Sequence, residues 1–223
     1  MEKSYKKYFI LAGVFAVISI IFTVLVTLID VKLVGAGHTA VGFSAINDVI
    51  FRWLGTSTFW DKFSDYCLLF SIFIMLCFAA FGLFQWIKRK NLKKVDIDIF
   101  LLGGTYMLLF ALYFIFDHIV INYRPVLEEG QLINSFPSSH IMCIIGVIAT
   151  TIFELPRYIK SKTARVILTI LLIIFMGVSA FARVASGMHW FTDVLAAIFF
   201  GLTIAFAFMG AQKYLTAKPA QKA

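Results

Sequence analysis

His189 and Asp193 stand four residues apart, so on a helix they share one face and the carboxylate can hold one imidazole nitrogen, leaving the other free to attack an electrophile. The same carboxylate would stabilise the imidazolium formed in that attack. Arg124 and Arg183 carry permanent charge on rigid forks that match phosphate oxygens, and two such forks near one histidine point to an anion. Pro137-Ser138-Ser139-His140 reads as a helix start, where amide N–H groups and hydroxyls are open to an anion and His140 would stand beside it. Each group also has a plainer use. The His–Asp pair could be a structural contact or half of a metal site, the arginines could anchor on lipid headgroups, and the serines could cap a helix. No metal is expected, because no third His or Cys joins His140 and His189 at zinc-ligand spacing.

The chain that must position these groups is 61% hydrophobic and only 14% charged, with 25 Phe and a mean hydropathy of +0.91. That excludes an ordinary soluble domain, a disulfide scaffold and a disordered tail. Cys67, Cys77 and Cys143 lie inside apolar runs and are expected to be core residues rather than a disulfide framework. Uncharged stretches run Phe9 to Ile29, Tyr66 to Ile87, Ile99 to Phe116, Ile141 to Phe153 (extendable to Ser138), Val166 to Ala182 and Val194 to Ala211. Against about 20 residues for a bilayer crossing, these predict an all-α membrane protein with six transmembrane helices. The fourth run is the shortest, bracketed by His140 and Pro156. The first is too long for a cleavable signal core and is read as a retained helix. No internal repeat breaks the chain, so residues 1–223 are expected to form a single domain.

Fifteen of the twenty Lys and Arg fall in the N-terminal segment, the connections after the second and fourth runs, and the C-terminal tail. By the tendency of basic loops to stay cytoplasmic, both termini are expected inside. The connections after the first, third and fifth runs then face outward, and so do all the polar groups above. The net charge of +8 accordingly speaks for the bilayer as partner, not nucleic acid. The first outward connection, about Val31 to Asp65, contains Val49-Ile50-Phe51-Arg52-Trp53-Leu54 and Phe59-Trp60. It is expected to form a short interfacial helix, serving as an aromatic belt or as a lid over a lipid entrance.

Taken in order, Asp117-x6-Arg124-Pro125, Pro137-Ser138-Ser139-His140 and Ala182-Arg183-x5-His189-x3-Asp193 resemble the three motifs of the type 2 phosphatidic acid phosphatase family. Those motifs read Lys-x6-Arg-Pro, Pro-Ser-Gly-His and Ser-Arg-x5-His-x3-Asp. The resemblance covers a core of about residues 100–211 and is closest to the integral-membrane lipid phosphatase branch, with its bacterial undecaprenyl diphosphate and phosphatidylglycerophosphate phosphatases. It implies that His189 takes the phosphoryl group as a phosphohistidine, that Asp193 orients it, and that His140 protonates the leaving oxygen. It further implies that Arg124, Arg183, Ser138 and Ser139 cradle the phosphate, and that no metal or cofactor takes part. The expected substrate is a membrane phospholipid or polyprenyl (di)phosphate, met at the extracytoplasmic face. Asp117 stands where the family has a phosphate-binding Lys, Ser139 replaces Gly, and Ala182 replaces Ser. Adjacent His118 is expected to return part of the missing positive charge. Because of Asp117, two other outcomes stay open: a lipid phosphotransferase using the same histidine, or a phospholipid binder without turnover.

Overall fold

The computed structural model describes residues 2–217. Seven α-helices account for most of them: α1 (Glu2–Leu28), α2 (Ser44–Leu54), α3 (Thr58–Arg89), α4 (Ile97–His118), α5 (Ser139–Tyr158), α6 (Lys162–Ala185) and α7 (Phe191–Ala217). All but α2 are long and apolar enough to cross a membrane, and the described residues form no extended sheet strand. This is a multi-pass membrane protein, and the six expected spans are all present.

Every span outruns its uncharged stretch, because helices continue through charged residues at their ends, whose heads can reach water while their stems stay apolar. The difference is largest in α3, which starts at Thr58 and takes in Asp61 and Asp65. Ser57 caps it by accepting the Trp60 N–H at 3.4 Å. The fourth run becomes the full-length α5, and Pro156 lies inside its last turn rather than beyond its end. A proline that close to a terminus removes only one ladder hydrogen bond.

α5 and α7 form the centre. About half of the apolar window of each is buried, against 6% for α6, which turns most of its surface outward. Ile141, Ile144, Val147 and Ile148 of α5 pack against Val194, Ala197, Ile204 and Phe208 of α7. Gly201 permits the close approach: a Cβ there would lie 2.7 Å from that of Ile145. α1 lies along α7 through Phe15–Phe206 and Phe22–Phe199 ring pairs at 5.5 and 5.6 Å. α3, α4 and α6 surround α5 on its remaining sides. The outer faces carry exposed Ile, Leu, Val and Phe throughout α1, α3, α4 and α6, the surface that lipid solvates. Of the cysteines only Cys67 is buried, while Cys77 is exposed on the apolar face of α3.

The ends of the bundle differ. At one end Tyr5 meets Tyr214 at 5.3 Å, bringing α1 and α7 together. There Gln85, Arg89 and Arg157 hold Asp96, with Arg89 Nη1 2.7 Å from Oδ1, and Arg157 also pairs with the buried Asp98. The hydrogen bond from Arg89 holds the Asp96 carboxyl below the usual range. The basic connections cluster at this end, and Lys218 and Lys222 lie outside the described residues. All the polar groups singled out in the sequence are at the other end.

Candidate active site

Three pieces of chain build the polar end. The α4–α5 connection doubles back on itself: Arg124 N–H donates to Ile133 O at 3.0 Å and Ser135 N–H to Asn122 O at 2.9 Å, with a turn at 128–131. This hairpin carries Arg124 out and returns the chain to Ser135 and Ser138. The second piece is the α6–α7 turn, which presents His189. Gly187 makes the turn possible: its φ is +74°, and a side chain there would strike Gly55 O at 2.7 Å. The third is the start of α3, with Asp61, Ser64 and Asp65.

His189 is 4% exposed. Its Nδ1 lies 2.8 Å from Ser135 O, a carbonyl that can only accept, so Nδ1 carries the proton and Nε2 a lone pair. That lone pair faces Arg183 Nη2 at 3.2 Å, which donates to it. Asp193 approaches Nδ1 only to 3.8 Å. Its carboxylate instead accepts from Trp190 N–H and Asn122 Nδ2, both at 3.0 Å. The i, i+4 spacing therefore places Asp193 behind the imidazole, while the acceptor that fixes the tautomer is a backbone carbonyl 54 residues away. Burial, reinforced by the charges of Arg183 and Arg124, holds His189 well below the ordinary histidine range. Burial thus favours the neutral ring, the form in which an imidazole can act as a nucleophile.

Arg183 is 2% exposed and reaches Asp61 Oδ1 at 2.9 Å and Ser64 Oγ at 3.2 Å. Arg124 pairs with Glu128 at 2.6 Å. Both guanidinium groups lie close enough to bear electrostatically on His189, and so does His140. His140 Nε2 sits 3.1 Å from Asp65 Oδ1. Among the described residues, four buried polar atoms here have no hydrogen-bond partner: Arg124 Nε, Arg183 Nε, Ser135 Oγ and Ser138 Oγ. Ser138 occupies the N-cap of α5, yet its hydroxyl does not cap the helix. Unsatisfied buried donors are costly, and an anion is the kind of group that satisfies guanidinium and hydroxyl donors.

A cavity of about 380 Å³ begins at this cluster, lined by Arg124, Ser139, His140 and His189. It continues between α3 and α4 past Leu68, Ile72, Met75, Leu109 and Phe110, which are apolar. From Asp65 to Met75, α3 descends ten residues, about 15 Å. Ile72 and Phe110 line the cavity and are also exposed on the outer faces, so it opens sideways toward lipid.

The tuning residues separate. Asp117 lines the cavity with its carboxylate unpaired, while its backbone carbonyl accepts from Asn134 at 2.7 Å. His118 does not line it. Its ring lies on Phe114, 4.5 Å between centroids, with Nδ1 2.8 Å from Phe114 O. The expected return of charge from His118 is absent from this geometry, because consecutive helical residues point about 100° apart.

The long first connection contains the expected short helix, α2, but not as a lid. Asp30 fixes its start, accepting from Ala45 N–H at 2.7 Å and Ser44 Oγ at 3.0 Å, and the Ala45 bond above all keeps that carboxyl low. Asn47, 1% exposed, donates to Gly42 O and Thr192 Oγ1 and accepts the Thr192 N–H. Ser57 N–H donates to Ser186 O at 3.2 Å. The connection thus clasps both sides of the His189 turn, and none of residues 29–57 lines the cavity. Asp61, Ser64, Asp65, Asn47, Asn122 and Ser135 carry no motif signal. The two α3 aspartates were legible only as charged residues one turn apart at the edge of an apolar run.

Among the described residues no three His, Cys, Asp or Glu side chains are grouped to hold a metal ion. No curated protein sequence matches the chain. A solved structure similar to it is that of a transmembrane PAP2 type phosphatidylglycerolphosphate phosphatase from Bacillus subtilis, with a TM-score of 0.61 over 95% of this chain and 99% of that one, at 16% identity. The likeness is one of fold. The family model of the PAP2 superfamily matches residues 105–217, just over half of the sequence and all three motifs, and by that match the chain belongs to the PAP2 superfamily.

Proposed function

We propose that this protein is a membrane lipid phosphatase that works through a phosphohistidine on His189. The observation that carries the reading is the cavity, whose polar end holds His189, His140 and Arg124 while its apolar remainder opens between α3 and α4 toward lipid. A lipid phosphate fits both halves at once: headgroup at the histidines, tail in the slot.

In the proposed reaction Nε2 of His189 attacks phosphorus in line with the lipid oxygen. The P–O bond to the lipid breaks, and His140 delivers a proton to the departing oxygen. Nδ1–H stays bonded to Ser135 O, and Asp193 stabilises the positive charge that the ring acquires. Arg124, Arg183, Ser138 and Ser139 stabilise charge on the phosphoryl oxygens, with the buried donors lacking partners supplying the new hydrogen bonds. Water then attacks the phosphohistidine, His140 accepts its proton, and inorganic phosphate leaves. The scheme uses no metal and no cofactor. The charge distribution of the connections supports placing this end on the extracytoplasmic side.

The test is phosphate release by detergent-solubilised protein from undecaprenyl diphosphate, phosphatidylglycerophosphate and phosphatidic acid, with EDTA present. EDTA-resistant release that is lost in His189→Ala supports the mechanism. Phosphorylated acceptor accumulating without free phosphate would establish a phosphotransferase instead. Binding without turnover, unaltered in His189→Ala, would leave a phospholipid binder.

A further inference from the structure

Of the described side chains that line the cavity, Arg124 alone carries a permanent positive charge, and Asp117 alone a carboxylate. Arg124 is already engaged by Glu128 at 2.6 Å, and Arg183 by Asp61 at 2.9 Å. Asp117 has no such partner, and neither arginine turns to it. Its place is the last turn of α4, one turn from Tyr113 and next to Phe116, both of which line the apolar slot.

With the terminal phosphate at His189 and the tail between α3 and α4, the stretch of lipid joining them passes the Asp117 wall. In a monophosphate that stretch is an uncharged ester carbon. In a diphosphate it is a second phosphate, bearing at least one negative charge. The wall offers that phosphate the Asp117 carboxylate, while His118 lies on Phe114, Arg183 sits at Nε2 of His189 outside the cavity lining, and Arg124 is held by Glu128. Opposed like charges at that wall disfavour binding, and because Asp117 is exposed the repulsion is sensitive to salt.

We propose that Asp117 makes the site select lipid monophosphates against lipid diphosphates. This rests on the lipid phosphatase reading and names its substrate class.

The experiment compares kcat/KM for phosphate release within two pairs that share a tail: phosphatidic acid with diacylglycerol diphosphate, and undecaprenyl monophosphate with its diphosphate. The proteins are wild type, Asp117→Asn and Asp117→Lys. In any pair that is turned over, wild type should favour the monophosphate by about tenfold or more. Asp117→Asn should shrink that ratio at least fivefold, and Asp117→Lys should shrink it further or invert it. Raising ionic strength should narrow the wild-type ratio, a readout that needs no variant to fold. A wild-type preference for the diphosphate, or a ratio untouched by both substitutions and by salt, overturns the selectivity while the phosphatase reading stands. No release from any of the four lipids by folded wild type overturns both.

Discussion

At the scale of single residues, His189 combines a buried ring, a protonated Nδ1 on Ser135 O and an Nε2 lone pair that accepts from Arg183. Its depressed affinity for protons has a sign that can be tested. As pH falls through about 6.5 the unfolded chain takes up a proton that the folded ring resists, so the contribution to stability is complete above that pH and declines below it. Thermal unfolding in detergent should show Tm falling from pH 6.5 to 5, with a shallower slope in His189→Asn. Asp193→Asn sets an amide N–H against the Trp190 N–H or the Asn122 amide, with a cost of about 1–3 kcal/mol in unfolding free energy. It also removes the charge near Nδ1, so turnover should fall about 100-fold, measured as kcat on whichever lipid proves best. The His189 and Asp193 pair was legible because a spacing of four is a statement about one helical face. Ser135 was not, since a backbone carbonyl leaves no mark in a sequence. Asp61 and Asp65 were present as charges flanking a run, but only the fold shows that they meet Arg183 and His140.

At the scale of elements, hydropathy specified six helices because lipid demands them, and left open which would be central. Small residues at contacts decide that, as Gly201 does between α5 and α7. The first connection was legible as a short helix and misleading as a lid, because Trp and Phe in a loop do not reveal which neighbour they cover. It clasps the His189 turn through Asn47. Asn47→Ala should leave the Thr192 N–H and Oγ1 and Gly42 O short of partners and lower stability by about 1–3 kcal/mol. Since Thr192 starts α7 beside Asp193, kcat should drop more than KM rises, and Asn47→Asp should recover only part of it. A Tm decrease with unchanged kcat would reduce the clasp to a purely structural part.

At the scale of the whole molecule, the two ends have opposite characters, one basic and one holding the candidate site. With six spans the termini share a side, and a fluorescent reporter fused after residue 217 should report the cytoplasm while a periplasm-dependent one stays silent. The reverse result would move the site to the inner leaflet without altering its geometry. The segment matched to the superfamily starts at 105, yet Asn47, Asp61 and Asp65 precede it. Separately expressed halves divided within residues 90–96 should therefore show activity only when mixed. The sideways mouth between Ile72 and Phe110 has one more effect. A lipid that slides in along the leaflet and leaves the same way never enters water, so the reaction runs in two dimensions. Diluting the substrate with inert lipid at fixed total amount should slow the enzyme, whereas diluting the whole vesicle suspension should scarcely change the turnover of each protein molecule.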